Sequence, residues 1–234
     1  MARLTTLLFA MWLGVTVSTV VDLEKRILGG QECRAKERLH HVKLISTGNT
    51  NCAGTLISDR WIVTAAHCFA PGRTFNAYIG ERAGSLQEVR IKEKAEIFND
   101  SNGQEHDLAL VKLPKAVVGV KPVGLPDCQH PPKIDARVQL AGRENGSGSL
   151  VCVDMHISVC KTYETLKHQH FICTQTPALG AHTGDSGGGV VYQDKIYGVI
   201  SKGNTKNPAG RPILSMDLCY EPYNQWIRKT IAQP

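Results

Sequence analysis

The chain has 234 residues, a net charge of +6 and 21% charged residues, so it is only modestly basic for its length. The basic residues are spread along the chain rather than clustered with aromatic residues, which argues against a nucleic-acid-binding surface. The length suffices for two domains of about 100 residues each.

The first 21 residues, MARLTTLLFAMWLGVTVSTVV, have the layout of a secretory signal: a basic residue near the start, an apolar stretch and then small residues. The uninterrupted apolar part is shorter than the roughly 20 residues that a membrane span needs. We therefore expect a signal peptide over residues 1–19, no membrane span, and a secreted, extracellular protein.

The eight cysteines form no C-x-x-C pair, which favours four disulfides over zinc sites in a secreted protein. Their spacing alone leaves many connectivities open. We expect no metal and no cofactor. Two sequons, at Asn99 and Asn145, lie in polar, turn-like stretches and are candidates for glycosylation.

Short apolar or alternating runs, such as WIVTAA, DLALVKL and KIYGVIS, recur between turn-forming residues and predict an all-β sandwich or barrel. The Pro-rich segment 113–132 is the natural connector between two β-domains, and a ligand cleft commonly forms at such an interface. One helix is predicted at the end of the chain. There, an apolar stripe at helical spacing indicates core packing, and it consists of Tyr223, Trp226, Ile227 and Ile231.

Ser186 lies in the stretch GAHTGDSGGGVVY, between an aspartate and three consecutive glycines. Glycine permits close backbone approach, so this setting is suited to presenting a serine, although a plain turn uses the same residue types. A serine hydroxyl is a poor nucleophile at neutral pH. It needs a base to accept its proton and a third group to orient that base.

His67 is the candidate base because it follows an apolar strand and adjoins a cysteine, whereas His106 and His182 lie in polar loops without comparable support. A structural histidine is the alternative. Asp107 heads the run DLALVKL, where a carboxylate is costly to bury without a hydrogen-bonded partner. A neutral histidine that donates from Nδ1 is a suitable partner, whereas a solvent-exposed, strand-capping Asp107 is the alternative.

GDSGG also satisfies the G-x-S-x-G pattern of α/β-hydrolases, but that fold places its histidine after the serine, and residues 187–234 contain none. The order His67, Asp107, Ser186 is instead the chymotrypsin order. The chain resembles the chymotrypsin-like, or trypsin-type, serine proteases over residues 27–234. The matching segments are RILGG at 26–30, TAAHC at 64–68, DLAL at 107–110 and GDSGG at 184–188.

This resemblance implies an all-β fold of two six-stranded antiparallel β-barrels with a short C-terminal helix. An activation propeptide would occupy residues 20–26, the N-terminal barrel 27–120, and the C-terminal barrel with the helix 121–234. Residues 27–234 would together form one peptidase unit. The implied disulfides are Cys33–Cys152, Cys52–Cys68, Cys128–Cys219 and Cys160–Cys173.

The resemblance also implies a serine endopeptidase, with His67 as general base, Asp107 as its orienting partner and Ser186 as nucleophile. Backbone N–H groups of Gly184 and Ser186 would form the oxyanion hole. The protein would be a monomeric zymogen whose partners are protein or peptide substrates, serine protease inhibitors and an activating trypsin-like protease. That protease would cleave after Arg26, so that the new amino group of Ile27 pairs with Asp185.

The primary specificity pocket departs from the trypsin-like pattern. Gly180 stands where such members have an aspartate, so cleavage after Lys or Arg is not expected. A small or medium aliphatic preference is favoured, and an acidic preference, through Lys202 or Arg211 at the mouth, is the alternative. His182 replaces a usual cysteine, and Lys202 replaces the tryptophan of S-W-G. The expected pocket residues are Gly180, His182, Ser201, Lys202, Gly203 and Ile213.

Three further departures concern neighbouring loops. Gly142-Arg143-Glu144 stands where G-W-G is usual, and Gly189 stands where proline is common. Glu81 and Glu88 are too few carboxylates for a calcium site of six to eight oxygens. The rival hypothesis to an active protease is a protease-fold binding protein with little or no turnover.

Overall fold

The structure is a computed structural model that describes residues 31–47, 51–69, 74–81, 84, 86–143, 148–160, 166–175, 185–202 and 212–233. Within these residues the strands form two antiparallel sheets, and one α-helix lies near the C-terminus. No helix in these ranges is both long and apolar enough to span a membrane.

The first sheet is built from the first half of the chain. Its strands are β2 (His41–Ser46), β3 (Asn51–Leu56), β4 (Trp61–Thr64), β5 (Phe75–Ile79), β6 (Gln87–Arg90), β7 (Glu96–Asn99) and β8 (Glu105–Lys112). They pair in the order β6-β5-β2-β3-β4-β8-β7. Every second residue of β2 and β5 is buried, so Leu44, Phe75 and Ala77 fill the interior of this sheet. A 3₁₀ helix, Ala66–Phe69, follows β4.

The second sheet contains a closed barrel. Its strands are β1 (Gln31–Glu32), β9 (Arg137–Gly142), β10 (Val151–Ser158), β11 (Phe171–Gln175), β12 (Gly189–Tyr192), β13 (Lys195–Lys202) and β14 (Ile213–Asp217). The order is β1-β10-β11-β14-β13-β12-β9, and β9 also pairs with β10, which closes six strands into a ring. In the first sheet, by contrast, no ladder among the described residues joins the edge strands β6 and β7.

Strand β1 crosses between the two halves of the chain. It lies in the segment predicted for the N-terminal barrel, yet Gln31 pairs with Cys152 of β10 in the second sheet. The disulfide between Cys33 and Cys152 fastens this crossing, since it joins residues 119 apart in sequence. The other three disulfides also join the pairs that the family resemblance implies: Cys52–Cys68, Cys128–Cys219 and Cys160–Cys173.

The inter-sheet core is a hydrophobic cluster that joins both sheets to helix α1 (Glu221–Ile231). Tyr223 and Ile227 of the helix are buried in it, against Trp61 and Leu110 of the first sheet and Val199 of the second. Trp226 and Ile231 pack at its margin. The predicted core-facing stripe is therefore confirmed, as is the all-β class with a C-terminal helix.

Candidate active site

His67 is held on the 3₁₀ helix that follows β4, next to the disulfide between Cys52 and Cys68. Its side chain is 45% exposed, and its Nδ1 lies 3.0 Å from Oδ1 and 2.9 Å from Oδ2 of Asp107. A carboxylate only accepts hydrogen bonds, so Nδ1 carries the proton in this contact. The neutral ring therefore leaves Nε2 as a free acceptor position, which is the arrangement that base catalysis requires.

Asp107 lies on β8, and its side chain is only 10% exposed. The carboxylate accepts hydrogen bonds from Nδ1 of His67, from the His67 backbone N–H at 2.9 Å and from the hydroxyl of Ser201. The backbone N–H of Asp107 donates to Oε1 of Gln169 at 3.2 Å. The donors to the carboxylate offset the cost of burying it, so Asp107 is a buried carboxylate hydrogen-bonded to His67 and not an exposed strand cap.

Ser186 lies in a turn that hydrogen-bonds to both sheets. Its carbonyl accepts a hydrogen bond from the N–H of Ala53 on β3 at 2.8 Å, and Sγ of Cys68 lies 3.9 Å from the same oxygen. The next residue, Gly187, donates its N–H to Ile200 of β13 at 2.8 Å. The turn thus places Ser186 beside the residue that follows His67. Among the described side chains, no hydrogen bond joins Ser186 to His67.

Gly187 is required by this close approach. Its φ is +88°, and a Cβ at this position would lie 2.2 Å from both the Ala53 carbonyl and Oγ1 of Thr64. A side chain would therefore force the turn away from β3. The glycine after the serine sets how closely Ser186 approaches the His67 segment.

Asp185 precedes the serine and is 2% exposed. Its Oδ1 accepts a hydrogen bond from the backbone N–H of Arg143 at 3.1 Å. The carboxylate lies so close to Gly142 that a Cβ there would meet Oδ1 at 1.9 Å. The Asp185 side chain is thus buried against the end of β9, as a structural carboxylate rather than a surface one.

A groove of about 960 Å³ runs past the His67–Asp107 pair. Ile91 and Ile97 supply apolar wall, and Lys202, an exposed residue at the end of β13, contributes a positive charge. The side chain of Gln169 lines the same groove. The groove lining therefore combines apolar and charged side chains beside the His67–Asp107 pair.

His106 is a correction to the sequence analysis, which placed it in a polar loop. Because β8 begins at Glu105, two residues before the predicted run DLALVKL, His106 is buried, with 3% exposure, and packs edge-on against Phe98. Its Nδ1 hydrogen-bonds the hydroxyl of Tyr223, and burial lowers its pKa. His106 is a core histidine behind the site.

Of the remaining residues predicted from the sequence, some lie within the described ranges and the others lie outside them. Ile213 packs in the core of the closed barrel, and Asn99 is exposed at the end of β7. Ser201 was predicted for the specificity pocket, but its hydroxyl contacts Asp107. The other predicted residues lie outside the described residues: Arg26, Ile27, Asn145, Gly180, His182, Gly184, Gly203 and Arg211.

Two clusters bring metal-binding residue types within 4.8 Å of one another in the described part of the chain. One contains His67 with Cys52 and Cys68, and the other contains Glu37 with Cys33 and Cys152. Both pairs of cysteines are disulfides, and the thiolate, not the disulfide, is the metal ligand. Each cluster therefore offers a single ligand side chain, which does not make a zinc site.

The comparisons with known proteins point in one direction. A family model described as Trypsin matches residues 27–227. Trypsin-1 of Salmo salar is 28% identical over 250 residues, which cover 97% of this chain and 98% of that protein. Kallikrein-8 of Rattus norvegicus is 28% identical over 253 residues, which cover 97% of this chain and 93% of that protein.

Solved structures give the same result. Neuropsin, a serine protease expressed in the limbic system of mouse brain, matches with a TM-score of 0.70 and 26% identity, over 88% of this chain and 100% of that one. Human heparin binding protein matches with a TM-score of 0.71 and 25% identity, over 89% and 98% of the two chains.

Proposed function

Because this chain belongs to the trypsin family of serine endopeptidases, we propose that it hydrolyses peptide bonds with His67, Asp107 and Ser186 as its catalytic triad. The observation that carries this proposal is the contact of 2.9 Å between Nδ1 of His67 and a buried, fully hydrogen-bonded Asp107. That contact fixes the tautomer that leaves Nε2 able to accept a proton.

In the proposed reaction, Nε2 of His67 takes the proton of the Ser186 hydroxyl as Oγ attacks the scissile carbonyl carbon. The carbonyl π bond opens to an oxyanion, which the N–H groups of Gly184 and Ser186 stabilise. The protonated His67 then gives its proton to the leaving amine as the C–N bond breaks. Water repeats the sequence on the acyl-enzyme and releases the acid. Asp107 stays ionised and stabilises the imidazolium.

The proposed protein is a zymogen that a trypsin-like protease activates by cleavage after Arg26. The new amino group of Ile27 would pair with Asp185. Burial of the Asp185 carboxylate, which is 2% exposed, supports this role, because a buried carboxylate is stabilised by a cation and by hydrogen bonds together. In the uncleaved chain, the turn that carries Ser186 would lack this cation.

For specificity, we propose cleavage after a small or medium aliphatic residue. Gly180 supplies no carboxylate to bind Lys or Arg, which supports a non-tryptic preference. An acidic preference is the alternative that the exposed Lys202 favours. A peptide-library cleavage profile separates the two, and a profile dominated by Lys or Arg contradicts both.

The proposed setting is extracellular. The signal peptide over residues 1–19 supports secretion, and the four disulfides suit an oxidising compartment. Serine protease inhibitors are the expected regulators, and a monomer is the expected state. The sequons at Asn99, which is exposed, and at Asn145 are the proposed glycosylation sites.

The test is labelling with a fluorophosphonate probe before and after cleavage at Arg26, with Ser186→Ala as the control. Such a probe reacts with an activated serine and makes few demands on the specificity pocket. We expect labelling that appears on cleavage and is lost in Ser186→Ala. No labelling of a folded, cleaved sample would overturn the proposal and favour a protease-fold binding protein. Equal labelling before and after cleavage would overturn only the zymogen role.

A further inference from the structure

Arg143 follows directly after strand β9 and is buried, with 7% exposure, although it carries a full charge. It stands where the resembling proteases usually have the tryptophan of G-W-G. Charged residues are rarely buried unless they are paired, so this guanidinium is expected to have specific partners.

The guanidinium contacts separate parts of the chain. Nη2 pairs with Oε2 of Glu81, which lies shortly after β5 of the first sheet. Nη1 donates to the backbone carbonyl of Gly148, just before β10 of the second sheet. Arg143 therefore bridges the two halves of the protein, and its planar group fixes the direction of both contacts.

The backbone of the same residue binds the turn beside the nucleophile. The N–H of Arg143 donates to Oδ1 of Asp185 at 3.1 Å, and Gly142 gives the carboxylate room to approach. A hydrogen bond from a main chain is directional, so its strength depends on where residue 143 is held.

Nearby charges are arranged to favour the ion pair. His41 lies in the field of Arg143 and Arg38, and burial together with these cations lowers its pKa to about 3. His41 is therefore neutral at physiological pH. It adds no third positive charge beside Arg143, and Glu81 pairs with the guanidinium.

We propose that Arg143 is a positioning residue: its guanidinium, held by Glu81 and Gly148, fixes the N–H that binds Asp185 and thereby the turn that carries Ser186. This inference rests on the proposed function. Arg143 is not assigned a contact with the substrate. It acts by keeping the Ser186 backbone N–H where the oxyanion forms, and misplacing such a donor is costly, since losing one lowers the rate by about 10² to 10³.

The test compares the rate constant of fluorophosphonate labelling with the number of sites labelled at completion, in samples cleaved at Arg26. Arg143→Met keeps the length of the side chain but loses both anchors. We expect a labelling rate at least about tenfold lower, an unchanged number of sites, and a smaller loss in Arg143→Lys. Glu81→Gln is a milder test on a half-exposed partner and should slow labelling in the same direction.

Arg137→Met is the matched control. Arg137 is the first residue of β9, the strand that Arg143 follows, and it pairs with Asp154, but its side chain is 70% exposed, so its loss should leave the rate unchanged. Labelling of Arg143→Met and Glu81→Gln at the wild-type rate would overturn the inference. So would fewer labelled sites at an unchanged rate, which indicates a role in folding only. Absence of labelling in the wild type would instead count against the proposed function itself.

Discussion

The hydroxyl of Ser201 donates a hydrogen bond to Oδ2 of Asp107, the same oxygen that lies 2.9 Å from Nδ1 of His67. Ser201 is 3% exposed and stands 94 residues further along the chain, on β13 of the second sheet. A hydroxyl from the second half of the protein thus hydrogen-bonds the buried carboxylate that contacts His67 in the first half.

Removal of this hydroxyl should weaken both stability and activity. In Ser201→Ala the buried carboxylate loses a donor, so we expect the free energy of unfolding to fall by about 1–3 kcal/mol and fluorophosphonate labelling to slow. Ser215→Ala is the control, because Ser215 is fully buried and its hydroxyl has no hydrogen-bond partner in the described part of the chain. Guanidinium denaturation and labelling rates measure both effects. Equal losses in the two variants would contradict the role of Ser201.

Asp107→Asn should leave the fold intact while it removes most of the activity. An amide can donate to Nδ1 and so stabilise the wrong tautomer of His67, which leaves Nε2 protonated. We expect kcat to fall by about 10⁴ with a nearly unchanged KM, measured on a peptide substrate with enzyme cleaved at Arg26. Asp154→Asn, at a half-exposed surface ion pair, serves as the control. A kcat within tenfold of wild type would remove Asp107 from the triad.

Gly187→Ala should be far more damaging than Gly103→Ala, although both residues have positive φ values, +88° and +74°. Both variants bear the cost of a left-handed backbone, about 1–2 kcal/mol. Only at Gly187 does the new methyl group meet Ala53 and Thr64, whereas nothing lies within 4 Å at Gly103. Overpacking should add about 1–3 kcal/mol, and chemical denaturation compares the two. A smaller loss in Gly187→Ala than in Gly103→Ala would show that the turn moves freely.

The free energy of unfolding should fall as the pH drops below 6.5. Burial, aided by the charge of Arg38, lowers the pKa of both His40 and His41 to about 3, so the folded protein excludes protons that the unfolded chain binds below about pH 6.5. Stability is therefore full above pH 6.5 and is lost toward pH 3, by at most about 1.4 kcal/mol per pH unit for each histidine.

Denaturation midpoints between pH 7 and pH 4.5 measure this slope. His41→Gln should flatten it relative to wild type, whereas His130→Gln should not, since His130 is 81% exposed. Because the variants share all the other titratable groups, the difference between their slopes reports the contribution of the substituted histidine. A His41→Gln slope as steep as that of wild type would mean that His41 is protonated in the folded state.

Local patterns in the sequence identified His67 and Asp107 as candidates, and the order of His67, Asp107 and Ser186 with the family resemblance decided between the alternatives. The strand before His67 and the cost of an unpaired carboxylate at Asp107 predicted a contact that the structure contains. The residues next to His67 and Asp107 in sequence were the basis of this prediction. The C-terminal stripe likewise predicted which face of α1 is buried, because its helical period is a local property.

Contacts that depend on the register between distant strands were not predicted. Nothing near Ser201 in the sequence indicates that its hydroxyl faces Asp107, since the direction depends on how β13 lies against the first sheet. The same holds for Gln169, which binds the Asp107 N–H, and for β1, which pairs across to β10. His106 was misplaced because the polar residues around it suggested a loop, whereas β8 already begins at Glu105 and residues 106–111 of this strand are all buried.

The disulfide between Cys33 and Cys152 decides what a second cut in the chain would do. A break between residues 120 and 128 would separate the backbone into two pieces, but that bond would still join them. The inter-sheet core, with α1 packed across it, would hold the pieces in register. A nicked molecule would therefore remain one covalently joined species until the disulfide is reduced. Its two halves, which carry His67 and Ser186, would stay packed against each other. The peptide released by cleavage after Arg26 has no such tether, because it contains no cysteine.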